Sequence, residues 1–288
     1  MLDLSHIPNS QQDVQIFNAN GSAWQTWCKP KKCNYVYIMC IGGGGGGGVG
    51  TTTNQSPYST GGGSGAVSRA LYNAQLLSDI LYVQVGLGGA SNSPGTRSFV
   101  SLQPVIAAQN LVAVSGNVAA AAGTNSTGAS AAGETASSQS TATFYTLSNF
   151  ISTAGVTAVG NPSPIQGPNI SPLTSQITCP GGNGPGFNNS GTPNSYDGGS
   201  ILSTSISPLI SGGSLSTTTN AGNGANGITS LKPFYSLGGA GGGSTNNGIG
   251  GNGGNGGIGS GGGAGGSGRL GAGTGGRGGD GIVIIISF

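Results

Sequence analysis

The chain has 288 residues, of which 62 are glycine and only 5% are charged. Disordered chains stay open through low hydrophobicity combined with high charge, so this composition excludes that class. Eight basic and six acidic side chains, net charge +2, are spread along the whole length, and no cluster of them resembles the footprint that nucleic-acid binding requires.

In chain order, residues 1–13 are polar, are broken by Pro8, and are predicted to form an N-terminal arm. They lack a basic n-region and an apolar h-region, so synthesis in a cytoplasm without a secretory signal is expected. Val14-Gln15-Ile16-Phe17 alternates weakly and leads into the turn formers Asn18-Ala19-Asn20-Gly21. The two tryptophans, Trp24 and Trp27, precede Lys29, Lys31 and Lys32, a short basic run that reads as a solvated loop. Residues 34–41 are nearly continuous in apolar and aromatic side chains, as expected of a strand covered on both faces.

Seven consecutive glycines, Gly42 to Gly48, follow at once. A tight turn needs only one or two residues with positive φ, so this run exceeds any turn requirement. Glycine also loses the most backbone entropy on ordering, so something must compensate. Either the run is a hinge, or main chains approach there so closely that no Cβ fits. Gly61 to Ala66 repeat the theme before the strand predicted at 80–85, in which Leu81, Val83 and Val85 share one face. From about 91 to 235 the chain turns rich in Ser, Thr, Ala, Asn and Pro. Short strands are expected there at 98–102, 111–114, 142–147, 157–159 and 201–206. Gly238 to Gly281 is the most glycine-dense stretch, with a three-residue period from Gly250 to Ile258 and no proline. That excludes collagen and predicts polyglycine helices of the polyproline-II type. Packed side by side, such helices would satisfy one another's N–H and C=O groups. The chain closes on five β-branched residues, Ile282 to Ile286, which need a sheet partner.

Chemistry-bearing residues are few. The single histidine, His6, and the four cysteines do not form a metal-ligand pattern; Cys28, Cys33 and Cys40 are spaced C-x4-C and C-x6-C, and Cys179 stands apart. Cys40 reads as a small buried apolar residue, and a Cys28–Cys33 bridge is possible but unneeded in a reducing compartment. The single glutamate, Glu134, lies in Ala/Ser-rich sequence typical of a loop, and Asp197 and Asp280 read as turn residues. Gly42 to Gly48 lacks the Gly-Lys-Ser/Thr of a phosphate cradle. No catalytic residue, metal or cofactor is therefore expected, and no apolar stretch reaches the ~18 residues of a membrane span. Aromatics near Gly and Asn suit recognition loops, which makes Tyr58, Tyr196, Phe187 and Tyr235 candidate receptor contacts, with Tyr72 and Phe234 beside them. For any single one of them, packing under a long loop is the favoured reading, because aromatics are the main packing material in a glycine-rich chain.

A strand running into polyglycine (Tyr35 to Gly48), a second strand ending in a glycine-rich turn (Leu81 to Gly89) and the closing Gly275-Gly276-Arg277-Gly278-Gly279-Asp280-Gly281-Ile282-Val283-Ile284-Ile285-Ile286-Ser287-Phe288 carry a resemblance. The chain resembles the glycine-rich domain proteins of tailed phages, over about residues 14–90 and 238–288. That resemblance implies a virion surface role; in some phage adhesins similar tracts form packed polyglycine helices with recognition loops at their tips.

The expected fold is all-β and β-sandwich-like, with polyglycine-II-like loops and no long helices. The arm at 1–13 precedes one glycine-rich β domain at 14–288, with a Ser/Thr/Asn-rich insertion of about 91–235 projecting from it. The expected function is that of a phage virion protein, a fibre- or spike-like appendage contributing to host attachment. A capsid decoration protein and a secreted glycine-rich matrix protein are the alternatives. Expected partners are further copies of the chain, as a trimer, other virion proteins, and a host surface glycan or protein. Neither nucleic acid nor membrane insertion is expected.

Overall fold

Alternation along residues 35–41 decides the architecture. Val36, Ile38 and Cys40 point to one face of the strand, and Tyr37, Met39 and Ile41 to the other. Both faces are covered, so the strand is central. The computed structural model describes residues 13–53, 59–116, 118–124, 130–136, 151–155, 157–158, 169–170, 177–187, 194–204, 207–231 and 234–288. Within them lie β1 (Asp13–Asn18), β2 (Gln25–Cys28), β3 (Tyr35–Ile41), β4 (Val67–Asn73), β5 (Ile80–Gln84) and β6 (Phe99–Ser101). These are followed by β7 (Leu111–Val114), β8 (Ile151–Thr153), β9 (Thr229–Leu231), β10 (Phe234–Ser236) and β11 (Ile282–Ser287).

Every pairing between these strands is antiparallel. A five-stranded sheet has the order β1-β11-β3-β4-β8, a four-stranded sheet the order β2-β5-β6-β7, and β9 and β10 form a hairpin. The two larger sheets face each other across a core of Trp27, Val36, Ile38, Leu81, Val83 and Ile285, each at most 1% exposed. Tyr72 lies in the same core and satisfies its hydroxyl by donating to the Val112 carbonyl at 2.9 Å. On the outer face of the five-stranded sheet, Met39, Ile41, Ile284 and Ile286 pack with Ile177, Phe234 and Ile258. The run Ile282 to Ile286 thus finds its partner on both edges, with β1 on one side and β3 on the other. Helix among the described residues includes only short 3-10 turns, such as Ala74–Leu76 and Ala108–Asn110.

At one end of this sandwich the strands pass straight into glycine-rich helices. β3 continues into Gly42 to Gly50, the chain from Ser59 to Ala66 leads into β4, and Gly271 to Gly281 leads into β11. In Gly42 to Gly50 the N–H groups take three directions in rotation. Gly44, Gly47 and Gly50 donate to Gly279, Gly276 and Gly273, each at 2.9 Å. Gly45 and Gly48 donate to Gly63 and Thr60, and Gly43 and Gly46 to Thr96 and Ser93. Three residues per turn with no internal hydrogen bonds is the geometry of the polyproline-II helix. At about 3.1 Å per residue, Gly42 to Gly50 spans about 28 Å. The carbonyls of this helix accept from Gly89 and Asn92, from Gly123, and from Gly262 and Gly265, so six chain segments surround it.

Gly261 to Gly268 is enclosed in the same manner. It donates to 179–185, to 45–51 and to 251–254, and it accepts from Gly62, from 239–245 and from 273–276. Residues 259–268 are all buried. Close approach explains the glycine: a Cβ at Gly47 would overlap the Gly263 carbonyl, and a Cβ at Gly44 the Ser260 carbonyl. The hinge alternative for 42–48 therefore fails, and the packed-main-chain alternative holds.

Several expectations are corrected. Described parts of 91–235 do not project. Ala121 receives from Gly63, Gly181 donates to Gly62, and Gly213 and Gly241 bond to each other, all within the one bundle. Of the strand expected at 201–206, the described residues 201–204 show only the bridges of Ile201 with Ile170 and Ile210, and of that at 157–159, residues 157–158 show only the bridge Ala131–Ala158. Lys29 is not solvated; its Nζ donates to the Ala74 and Leu77 carbonyls and pairs with Asp79 at 2.9 Å. The four cysteines, by contrast, are free, which agrees with the reading of a Cys28–Cys33 bridge as unneeded. The strand expected at 142–147 and nearly all of the arm lie outside the described residues.

Gly47→Ala is expected to lower unfolding free energy by about 3 kcal/mol or more, since the added methyl meets main chain that cannot move alone. Gly21→Ala, at φ +57° with open space around it, is expected to cost about 1 kcal/mol through backbone strain alone. Urea denaturation of both variants checks the order; equal losses would contradict the close-packing account.

Candidate functional site

Gly42 to Gly50, Ser59 to Ala66 and Gly271 to Gly281 join sandwich strands at one end of the bundle, and the described turns near 51, 216, 245 and 268 are bonded together at the other. There the described turns carry Thr52, Thr53, Thr217 to Thr219, Asn247, Arg269 and Leu270. All are exposed, Leu270 the most at 74%. This distal end is polar, holds one cation among these residues, and is set apart from the hydrophobic core by the length of the glycine helices.

A second exposed feature runs along the side of the bundle. Asn220, Asn223 and Asn226 offer their Oδ1 atoms to the main-chain N–H groups of Ile249, Asn252 and Asn255, at 2.8–2.9 Å. Thr229 Oγ1 continues the row by accepting from Ile258 at 2.9 Å. In the reverse direction Ala221, Gly224 and Gly227 donate to the Ile249, Asn252 and Asn255 carbonyls. A second row repeats the device: Asn252 and Asn255 Oδ1 accept from the N–H groups of Thr274 and Arg277, each at 2.9 Å. Side-chain carbonyls thus stand where the next main chain would have been. The threefold helix brings every third side chain onto this face, so the Asn-x-x spacing is what places them in register.

At the sandwich end these rows meet a cleft of about 450 Å³ lined by Asn18, Ala19, Gly227, Thr229, Asn255 to Ile258 and Arg277 to Gly281. Arg277 and Asp280 form an ion pair on its wall. Asp280 Oδ1 also accepts from the Gly88 N–H at 2.8 Å, in keeping with its reading as an acceptor of backbone N–H bonds ahead of β11. Asp197 likewise accepts from the Leu215 N–H at 2.7 Å.

The aromatic candidates do not converge. Phe187 is 2% exposed and serves packing, which corrects its reading as a receptor contact. Tyr72 is fully buried in the sandwich core, so that reading fails for it too. Tyr196 is half-buried near the distal end, where its N–H donates to Ser244 Oγ at 2.8 Å. Tyr235 sits at the other end on β10, half-buried against Cys179, Ile201, Ile210 and Leu237, and its neighbour Phe234 packs on the outer face of the five-stranded sheet. Tyr58 lies outside the described residues. The asparagine rows carried a legible signal in the sequence, the repeat Asn220-x-x-Asn223-x-x-Asn226 set against Asn252-x-x-Asn255.

Among the described residues Glu134 is the one acid buried in the interior, at 0% exposure; it lies in a segment without regular secondary structure, as read from the sequence, but not at the surface. It occupies the seam between sandwich and bundle. Its Oε2 accepts from the Ala66 N–H at 2.8 Å and its Oε1 from Ser115 Oγ at 2.6 Å. Glycine at 42 makes room for the carboxyl, since a Cβ there would overlap Oε2. Burial pushes the Glu134 carboxyl up to about 7, against the opposing pull of the Ser115 and Ala66 donors and the Arg97 charge. Burial likewise raises the Cys40 thiol and pushes Cys179 up to about 12, which removes both as nucleophiles. Among the described residues no group of three or more His, Cys, Asp or Glu side chains could hold a metal, and no helix is long and apolar enough to cross a membrane.

The folded state binds the Glu134 proton more tightly than the unfolded chain, whose carboxyl titrates near 4.5. Its contribution is therefore fully present below about pH 4.5 and lost as pH rises through about 7. Wild-type protein is expected to gain about 2 kcal/mol between pH 8 and pH 5, and Glu134→Gln to flatten that slope. Denaturant melts at the two pH values check this; an unchanged slope in the variant would contradict it.

No curated protein matches the chain. The model of a glycine-rich domain family matches residues 18–287, which takes in all the strands after β1, the glycine bundle and both asparagine rows. With ten of its eleven described strands and the glycine bundle inside that match, the chain belongs to the glycine-rich domain family.

Proposed function

We propose that the chain is a structural protein of a phage virion, a fibre- or spike-like appendage that contributes to host attachment. The observation that carries this reading is the glycine bundle itself. A lattice of main chains some 28 Å long by the polyproline-II rise is a stiff strut, with a core at one end and exposed polar turns at the other. Such a strut holds a recognition end away from the body that carries it. The resemblance of 14–90 and 238–288 to tailed-phage glycine-rich proteins supports the virion assignment.

Assembly with further copies, in a trimer, fits the surface. The edge strand β1 carries Val14 and Ile16 outward at 47% and 49% exposure, and an open apolar edge calls for a partner strand or subunit. The low charge removes the repulsion that would oppose close subunit contact.

Gold-labelled antibody against the turn at Ser216 to Asn220 is expected to mark appendage tips on particles assembled in cells that make this chain. An even shell of label would assign it to capsid decoration instead, and unlabelled particles would remove the virion reading. Light scattering is expected to return a mass near three copies. A stable monomer at micromolar concentration would overturn the trimer.

A further inference from the structure

We propose that the two asparagine rows and the cleft at their sandwich end form a binding face for an extended, uncharged polysaccharide. This names a ligand class for the attachment role proposed above and rests on that reading. Asn220, Asn223, Asn226, Asn252 and Asn255 are all exposed. Each spends its Oδ1 on a main-chain N–H group of the neighbouring helix. An amide held by its carbonyl oxygen turns its Nδ2 away from that bond, with two protons to donate. No described residue accepts from any of these five Nδ2 groups. The face is therefore an ordered array of unpaired donors.

Capping the lattice edge does not by itself require asparagine. Thr229 closes the first row with a hydroxyl, and Ser91 Oγ accepts from the Gly275 N–H in the same manner elsewhere on the bundle. At the five other positions asparagine performs the same capping and adds a free NH₂ group. Three residues of this helix advance about 9.3 Å, so the donors recur at that interval along each row. A matching partner is long, regular and rich in acceptors. Charge selects further. Arg277 is neutralised by Asp280, so the cleft offers no net charge to hold an anionic chain, and the amides carry none. Asp280 Oδ1 is engaged by the Gly88 N–H and by Arg277, while its second oxygen is available to accept from a sugar hydroxyl. Donors along the rows and an acceptor in the cleft suit a chain of hydroxyls and ring oxygens.

Asn→Asp separates capping from binding, because the aspartate keeps the oxygen that accepts the main-chain N–H and loses the NH₂. The full-length protein is titrated calorimetrically with dextran, yeast mannan and hydroxyethyl cellulose, and with polygalacturonate and heparin as charged comparisons. Wild type is expected to bind at least one neutral polymer, and N252D/N255D to bind it at least tenfold more weakly with an unchanged melting temperature. If that variant melts early, N252T/N255T, which keeps a hydroxyl acceptor as at Thr229, gives the same comparison. Binding to the charged polymers alone, binding to none, or equal binding by wild type and variant would overturn the saccharide face. Particles built with N252D/N255D that still carry label on their appendages and still adsorb to cells would leave the attachment reading standing and remove only this face.

Discussion

Main-chain hydrogen bonding between bare backbones is the constraint on which the molecule depends. A buried N–H or C=O without a partner costs about 1–3 kcal/mol, and the interior of this bundle is almost wholly main chain. The threefold helix solves the problem by aiming successive N–H groups at three neighbours, as Gly43, Gly44 and Gly45 do with Thr96, Gly279 and Gly63. The solution works only where chains approach closely enough for those bonds, and a Cβ prevents that approach. Glycine is thus the packing material here, in the role that leucine and valine hold in an ordinary core. Its entropic cost is offset by hydrogen bonds in every direction around the helix rather than by buried apolar area.

The β-sandwich supplies what the bundle lacks. Its core of Trp27, Tyr72, Leu81 and Ile285 gives the hydrophobic driving force, and its strands set the starting positions of the helices that continue them. The join is chemically demanding, because pleated ladders and threefold helices orient their polar groups differently. Glu134 bridges that mismatch by accepting from Ala66 just ahead of β4 and from Ser115 just after β7. A carboxyl with two fixed donors in the interior serves as a polar rivet, and its raised affinity for a proton follows from the same burial.

At the lateral surface the lattice has to stop without leaving an edge open to indiscriminate pairing. The asparagine rows stop it with side-chain oxygens, so the surface is saturated toward the protein interior and unsaturated toward solvent. That asymmetry is a property of the amide group, one acceptor end and one donor end. It gives an uncharged, non-aromatic surface a definite chemical character.

Much of this was legible in the residues. The strand over 34–41 announced its double covering, the β-branched run at 282–286 its need for a partner, and the three-residue glycine period its helix type, because each depends on local stereochemistry. Burial of Glu134 left no such trace. Its neighbours in sequence are alanine, glycine and threonine, and what encloses it comes from residues 42, 66 and 115. The aromatics misled for the same reason: Phe187 and Tyr72 look like loop and surface residues in sequence, and distant chain segments cover them. The described parts of the Ser/Thr/Asn-rich middle are bonded into the lattice, as at Ala121, Gly181 and Gly213, a placement that composition alone did not reveal.

The amino-acid sequence by itself determined the all-β class, the central strands and the helix type of the three-residue glycine period, all consequences of side-chain size, branching and period, but left hinge and close packing open for Gly42 to Gly48. Only the tertiary structure decided which helix neighbours which, where the acid is buried, and that two asparagine repeats some thirty residues apart lie on one face. Those outcomes depend on pairing between segments whose glycine-rich sequences are nearly interchangeable, and pairing among near-identical backbones is settled by the register that the sandwich strands impose.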